Sequence, residues 1–352
     1  MRKNRDRIFE WEEDMKKILK TMALGVVLPL ALMTTTAMAE IRSQTIKFAA
    51  ANSKGHPQVT GMEKFAELVK EKSGGQINVK LFPGGVLGSD PQTLSGLQGG
   101  VVEMTVMNAG ILSSTVKAFE AVDLPFLFNS GEEADKVMDG PFGTNLMKRL
   151  PDTGLIGLAY WDLGFRNLTN NRHPVAKLED IAGLKIRTLQ SPVPVALFNA
   201  LGANAVPLPY TELYTALETG TVDGQENPNA NIINAKFYEV QKYLTLTRHQ
   251  YNPQIVMISK KFWDRLNDEE KAVIGQAAVE ARDYQRKVSR EQDATALDEI
   301  KKTGMQVTEL TPEETTRLRD AVKPIIDKFT AEIGAETVDE LFAELKKVRS
   351  EN

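Results

Sequence analysis

Thr45-Ile46-Lys47-Phe48-Ala49, followed by Val59, Met62, Phe65, Leu68 and Val69 and then by Ile77, Val79 and Leu81, is the run that sets the fold. The first five residues alternate polar and apolar, as a half-buried strand does. The next five recur at three- and four-residue spacing, the period of a helix with one apolar face, until Gly74-Gly75 ends the pattern. Residues 76–82 alternate again and predict a second strand. Asp90-Pro91 marks a helix start, since a carboxylate caps free N–H groups and proline suits the first turn. Residues 101–107 supply a third strand. The order β-α-β-α-β predicts a parallel sheet with helices on its faces.

The same rhythm restarts after Leu150, with strands over 155–160, 184–189 and 205–208 and helices over 194–201 and 211–219. Two βα-rich segments of similar size imply two lobes. Residues 243–248 and 254–259 alternate as further strands, and either suits a crossover between lobes. Residues 268–303 carry one helical pattern whose only breaker is Gly275. At ~1.5 Å per residue it would extend roughly 54 Å, longer than one lobe needs. Thr311-Pro312-Glu313-Glu314 reads as a capping box that opens a helix to about Gly334, and a last helix covers about 337–348.

Composition narrows the function. The chain has 352 residues, a formal net charge of -4, 42% hydrophobic residues and no cysteine, so disulfide scaffolds, thiolate nucleophiles and Cys-based metal sites are excluded. A mildly acidic chain lacks the basic footprint of a nucleic-acid binder. Lys16, Lys17 and Lys20, the apolar run 22–33 and Ala37-Met38-Ala39 form the three-part pattern of a secretory signal with an A-x-A cleavage site, and Met15 is the natural start of that pattern. The run is too short to span a ~30 Å hydrocarbon core. Without residues 1–39 the chain keeps 36 basic and 42 acidic side chains, net -6. An exported protein is expected, in the periplasm.

The usual catalytic and nucleotide-binding motifs are missing. No two glycines stand two residues apart, so G-x-G-x-x-G cannot occur, and there is no G-K-[ST]. There is no G-x-S-x-G elbow, and His56, His173 and His249 lie in separate segments without metal-ligand spacing. A hydrolase assembled from distant residues stays open as a class. No enzyme, cofactor or metal site is expected.

Three polar features remain. In Leu184-Lys185-Ile186-Arg187-Thr188, Arg187 sits at the end of a parallel strand, where open α/β sheets bind ligands, and a guanidinium fork matches a carboxylate. On spacing alone a solvated strand-edge arginine is the reading that fits first. Asn227, before Pro228 in a dense polar cluster, offers an amide that donates and accepts, or an ordinary turn. Residues 161–170 mix Trp161 and Phe165 with Arg166, and read either as a site segment or as a surface loop with two packed aromatics.

Together these stretches resemble the periplasmic solute-binding proteins of tripartite ATP-independent periplasmic (TRAP) transporters, the DctP type. The resemblance is carried by Tyr160-Trp161-Asp162, Gly164-Phe165-Arg166 and Thr169-Asn170, by residues 183–187, by Ala216-Leu217-Glu218 leading to residues 222–228, by residues 236–242 and by residues 123–128, in the family's order. It implies an α/β, two-lobed binding protein, each lobe a mixed sheet flanked by helices, with a long helix spanning both. The lobes would be 40–163 plus 253–290 and 164–252 plus 291–352. The family's carboxylate-pairing arginine corresponds to Arg187, its companion to Arg166 and the completing asparagine to Asn227. Gln190 and Tyr210 match site-lining positions of sialic-acid-binding relatives, and Asn108 stands where those carry a glutamate; Trp161 is counted with the site. The ligand implied is a small organic acid, a C4-dicarboxylate or similar. The alternatives are a sugar acid, since residues 161–240 also resemble the diketogulonate-binding branch, or a sensing role for the same closed lobes. The partners implied are the small and large membrane subunits of a TRAP permease, with the binding protein itself a monomer.

Overall fold

The structure, a computed structural model, describes residues 40–351. The export signal expected over 1–39 lies outside the described residues. Nine strands form one sheet: β1 Gln44–Ala50, β2 Ile77–Phe82, β3 Met104–Asn108, β4 Leu155–Asn170, β5 Lys185–Thr188, β6 Asn204–Pro207, β7 Gly224–Asn227, β8 Tyr243–Ser259 and β9 Gln306–Glu309. Their order is β2-β1-β3-β8-β4-β7-β5-β6, with β9 against β8. β1 pairs in parallel with β2 and β3, and β5 with β6 and β7, as the βα rhythm predicts. The antiparallel pair β4 and β8 joins the two parallel groups.

That central pair is longer than the sequence suggests. The strand read as 155–160 continues to Asn170, and the two strands read at 243–248 and 254–259 are one strand of 17 residues. The middle of both is buried yet polar (Asp162, Arg166, Asn167, His249, Gln250, Asn252), so apolar alternation disappears where the strands run through the molecule. Residues 161–170 are therefore a buried strand and not a surface loop. The β4–β8 register slips between Asp162 and Gly164, opposite Pro253 and Asn252. Pro253 has no N–H to give the ladder, and Gly164 takes φ +107°, open to glycine but straining for other residues.

Residues 268–302 form one unbroken helix. Asn267 caps it, accepting from the Glu270 N–H at 2.9 Å while Glu270 accepts from the Asn267 N–H at 2.9 Å. Gly275 faces open space and does not interrupt it. Val273, Ile274, Ala277, Ala278 and Ala281 pack with Phe48, Phe65 and Val256, whereas Ile300 packs with Leu213, Leu217, Phe237 and Leu244, so one helix serves the cores of both halves. Asp90 is not the cap of its helix: Ser89 is, with Gln92 returning to the Ser89 N–H at 2.8 Å. Thr311 does cap the Pro312–Ile333 helix, but Glu314 accepts from the Leu178 N–H at 3.0 Å. The last helix, Ala335–Ser350, was expected with the second lobe. It packs Leu341, Leu345 and Val348 against Val137, Met138 and Phe142 of the first half, because its apolar stripe finds an uncovered helix pair there.

Candidate functional site

Arg187 is the third residue of β5, between Val206 of β6 and Gln225 of β7. It is 1% exposed. Nε and Nη2 donate to the Leu208 carbonyl at 2.9 and 2.6 Å, which fixes the plane of the guanidinium. Nη1 is buried and has no partner. Burial, aided by Arg166 and opposed by Glu226, Tyr210 and Asp90, lowers its pKa to about 10, so the group is cationic at neutral pH. A planar donor held by one edge and free at the other suits a carboxylate oxygen.

A cavity of about 20 Å³, room for about one water, lies between the halves of the sheet, with Asp90, Asn108, Tyr210, Asn227, Asn231 and Gln254 among its lining residues. A wider cavity of about 360 Å³ shares Ala51, Asn52 and Tyr210 with it. The Asn227 amide donates to Gln225, whose own amide donates to Thr169 at 2.9 Å; this chain sets Asn227 and leaves its oxygen without a protein donor on that side. Burial pushes the Asp90 carboxyl up to about 6, against the pull of Arg187.

Arg166 lies behind this wall, fully engaged. Nε and Nη2 pair with the Glu226 carboxylate, Nη2 also donates to the Glu226 carbonyl, and Nη1 donates to Asn252 at 2.7 Å. Burial would raise the Glu226 pKa, but Arg166 and the His249 hydrogen bond outweigh it and hold it near 2. Gln190 faces an outer groove with Ser113, Ser114 and Pro192, because it is Leu189, one residue earlier, that turns into the inner cavity. The Trp161 ring packs in the core, 6.2 Å from Phe48, and does not line the cavity. The structure thus brings Asn227, Tyr210 and Asn108 to the inner cavity, sets Arg187 within electrostatic reach of the lining residues Asp90 and Tyr210 without making it one of them, and leaves Arg166, Gln190 and the Trp161 ring outside. Asp90, Asn52, Asn231 and Gln254 were missed. Asp90 carried the one usable signal, a helix start directly after a strand of a parallel sheet.

Polar contacts tie the halves on two flanks of the cavity. His56 caps the Pro57–Lys72 helix, its Nδ1 accepting from the Gln58 N–H at 3.0 Å, so its proton sits on Nε2 and is donated to Asn231 at 3.1 Å. Asn231 in turn donates to Asn52 at 3.2 Å. On the other flank Asp123 accepts from Ser191 at 2.7 Å and Gln250 at 2.8 Å, and burial pushes it up to about 7. Burial lowers His56 to about 4, so folding favours its neutral form. Its contribution to stability is complete above pH 6.5 and is lost as pH falls towards 4. In His56→Asn, which keeps a capping oxygen, the drop in Tm between pH 7 and 4.5 is expected to shrink; an unchanged drop assigns the acid sensitivity to other groups.

Residues 48–333 match the model of DctP, the bacterial extracellular solute-binding protein family 7. The chain belongs to the DctP family. Among solved structures, this DctP-family protein is 99% identical to a TRAP periplasmic solute-binding protein from Ochrobactrum anthropi with its C-terminus bound in the ligand-binding pocket; the match covers 89% of this chain and 98% of that one, with a TM-score of 0.79. It is 45% identical to the sugar-acid-binding protein DctPAm from Advenella mimigardefordensis in complex with galactonate, over 88% and 99% of the chains, with a TM-score of 0.86. It is 37% identical to the 2,3-diketo-L-gulonate-binding periplasmic protein YiaO of Escherichia coli, over 82% of this chain and 88% of that one. DctP-family proteins are two-lobed extracytoplasmic receptors and not enzymes. Among the described residues no helix is long and apolar enough to cross a membrane.

Proposed function

We propose that the protein is a periplasmic receptor that captures a small organic carboxylate on Arg187 and presents it, with the lobes closed, to a TRAP-type permease of small and large membrane subunits. The observation that carries this reading is the Arg187 Nη1 group, charged, buried and unpartnered. A charge-assisted hydrogen bond contributes ~1.5–3 kcal/mol, a large part of the about -8.2 kcal/mol of a micromolar complex. The O. anthropi structure supports the reading, since a C-terminus is itself a carboxylate.

The hinge of this receptor is the register slip at Asp162/Gly164 and Asn252/Pro253. The lobes divide there, as 40–163 plus 253–290 and 164–252 plus 291–334, with the last helix strapped back onto the first lobe. Room for about one water cannot admit an organic acid, so entry requires the lobes to part further than the His56–Asn231 and Asp123–Ser191 contacts hold them. Ligand then shifts an open–closed equilibrium through contacts made only when shut. Export by residues 1–39 and a monomeric state complete the reading.

Thermal unfolding across a library of C4-dicarboxylates, 2-hydroxy acids and sugar acids tests it. A true ligand at 100 times its Kd is expected to add ~2.7 kcal/mol of stability. A library in which no carboxylate raises Tm overturns the assignment.

A further inference from the structure

We infer that Asp123 is a positioning residue for ligand capture, a latch between the lobes that takes up a proton as they shut. The inference rests on the two-lobed receptor reading and concerns a side chain outside the inner cavity.

Asp123 ends the short helical turn Lys117–Asp123 of the first lobe and is fully buried. The grip on it comes from the second lobe. The hydroxyl of Ser191, the N-cap of the Pro192–Ala200 helix, donates to Oδ2 at 2.7 Å, and the Gln250 amide donates to Oδ1 at 2.8 Å. The amide of Asn252, at the register slip, stands 3.5 Å from Oδ1, and its own oxygen accepts from Arg166 at 2.7 Å. From the first lobe Gly110 approaches so closely that a Cβ there would lie 1.8 Å from Oδ2, so glycine is what admits the carboxyl. One carboxyl thus joins the first lobe to the second beside the hinge. Parting the lobes withdraws Ser191 and lets in water; shutting them strips that water away.

The surrounding charges do not hold Asp123 as an anion. Arg166 of β4 favours the carboxylate, whereas Glu226 of β7 opposes it and is itself paired with Arg166 and with His249 of β8. The Pro192–Ala200 helix and the Ala109–Ser114 turn carry no charged residue. On the Pro312–Ile333 helix Lys328 and Glu332 act on Glu120, and Arg349 of the last helix pairs with Glu133. Burial outweighs Ser191, Arg166 and Gln250 and pushes the carboxyl up to about 7. The contacts suit both states: a hydroxyl donates and accepts, so Ser191 gives a proton to the carboxylate or receives one from the acid.

A group whose pKa rises on shutting holds more protons shut than open, so closure strengthens as pH falls through about 7. Capture takes a proton in and opening returns it. Asp90, raised to about 6, and His56, lowered to about 4, titrate across the same cleft, so the difference between the wild type and an Asp123 variant isolates the latch.

Asp123→Asn keeps the shape and the hydrogen-bond pattern of the protonated acid. In calorimetry it is expected to bind galactonate at least roughly tenfold more tightly than the wild type at pH 8, with the gap narrowing at least about fivefold by pH 5.5. Titrations at pH 6 in buffers of different ionisation enthalpy are expected to show the variant taking up about one proton fewer per galactonate. A ligand-free arm uses the absence of cysteine: spin labels at Lys54→Cys and Glu212→Cys, exposed positions next to Ser53 and Thr211 of the wider cavity, report the lobe separation. The shut fraction is expected to rise between pH 8 and 5.5 more steeply in the wild type than in Asp123→Asn. The same pH dependence in both proteins, or weaker galactonate binding by Asp123→Asn at pH 8, overturns the latch. Failure of galactonate to bind at any pH counts against the receptor reading for that acid, and the label distances then decide the latch.

Discussion

Arg187→Ala is expected to weaken binding of the organic acid at least thirty-fold and to leave the ligand-free protein folded. Removing one partner of a buried charged hydrogen bond costs about 2–5 kcal/mol, or roughly thirty-fold to several-thousand-fold in Kd. A micromolar ligand then binds with a Kd of about 30 μM to several millimolar. The fold survives for an electrostatic reason. In the ligand-free protein the guanidinium is compensated at close range only by the Leu208 carbonyl, and burial already pushes its pKa down to about 10, so the charge is a burden on folding that the variant no longer carries. Arg187→Lys is expected to lose most of the affinity as well, because an ammonium cannot hold the Leu208 carbonyl with one edge and a carboxylate with the other. Calorimetry and thermal unfolding on the same samples check both halves. Wild-type affinity in Arg187→Ala overturns the carboxylate clamp.

Glu226→Ala has its largest effect on stability. It strands Arg166, fully buried, with Asn252 as its remaining side-chain partner and the Glu226 carbonyl as its backbone acceptor. Breaking a buried ion pair from one side costs about 3–5 kcal/mol, whereas replacing both members by apolar residues is often neutral. At about 2–4 °C per kcal/mol, the shift for domains of 150–250 residues, the Tm drop is roughly 6–20 °C, and the double change Arg166→Met with Glu226→Leu is expected to recover much of it. The pH dependence carries the same signature. Glu226 is held near a pKa of 2, so the stability it confers is present above about pH 4.5 and is lost as pH falls towards 2. A Glu226→Ala protein with unchanged Tm and no ligand binding would instead make Arg166 a ligand contact, the role that the family resemblance gives it.

Much of this was legible in the chain. The alternation of Ile46 and Phe48, the helical spacing from Val59 to Val69 and the repeat of that rhythm after Leu150 predict the two parallel groups, and residues 268–303 predict the long helix. Arg187 is legible as a site candidate from its place near the end of a parallel strand, and Asn227 from the dense polar cluster before Pro228; that Asn227 ends a strand of its own is seen only in the structure. Illegible were the continuity of β4 and β8, whose polar middles erase the periodicity that a reader follows, and the fate of Arg166, whose partner lies 60 residues away. Gln190 and Leu189 differ by one position and face different cavities, and strand period alone does not say which of two neighbours turns inward once the strand has ended.

Local periodicity, turn residues and helix caps act between neighbours in the chain, so the sequence by itself determined most of the elements, their order and the family. Which buried charge is neutralised within the protein and which is left for a ligand depends on side chains that meet only after the sheet has closed. The tertiary structure alone therefore decided that Glu226 neutralises Arg166, that the Leu208 carbonyl holds one edge of Arg187 and leaves the other free, and that Asn108 and Gln254 face the same cavity as Asp90.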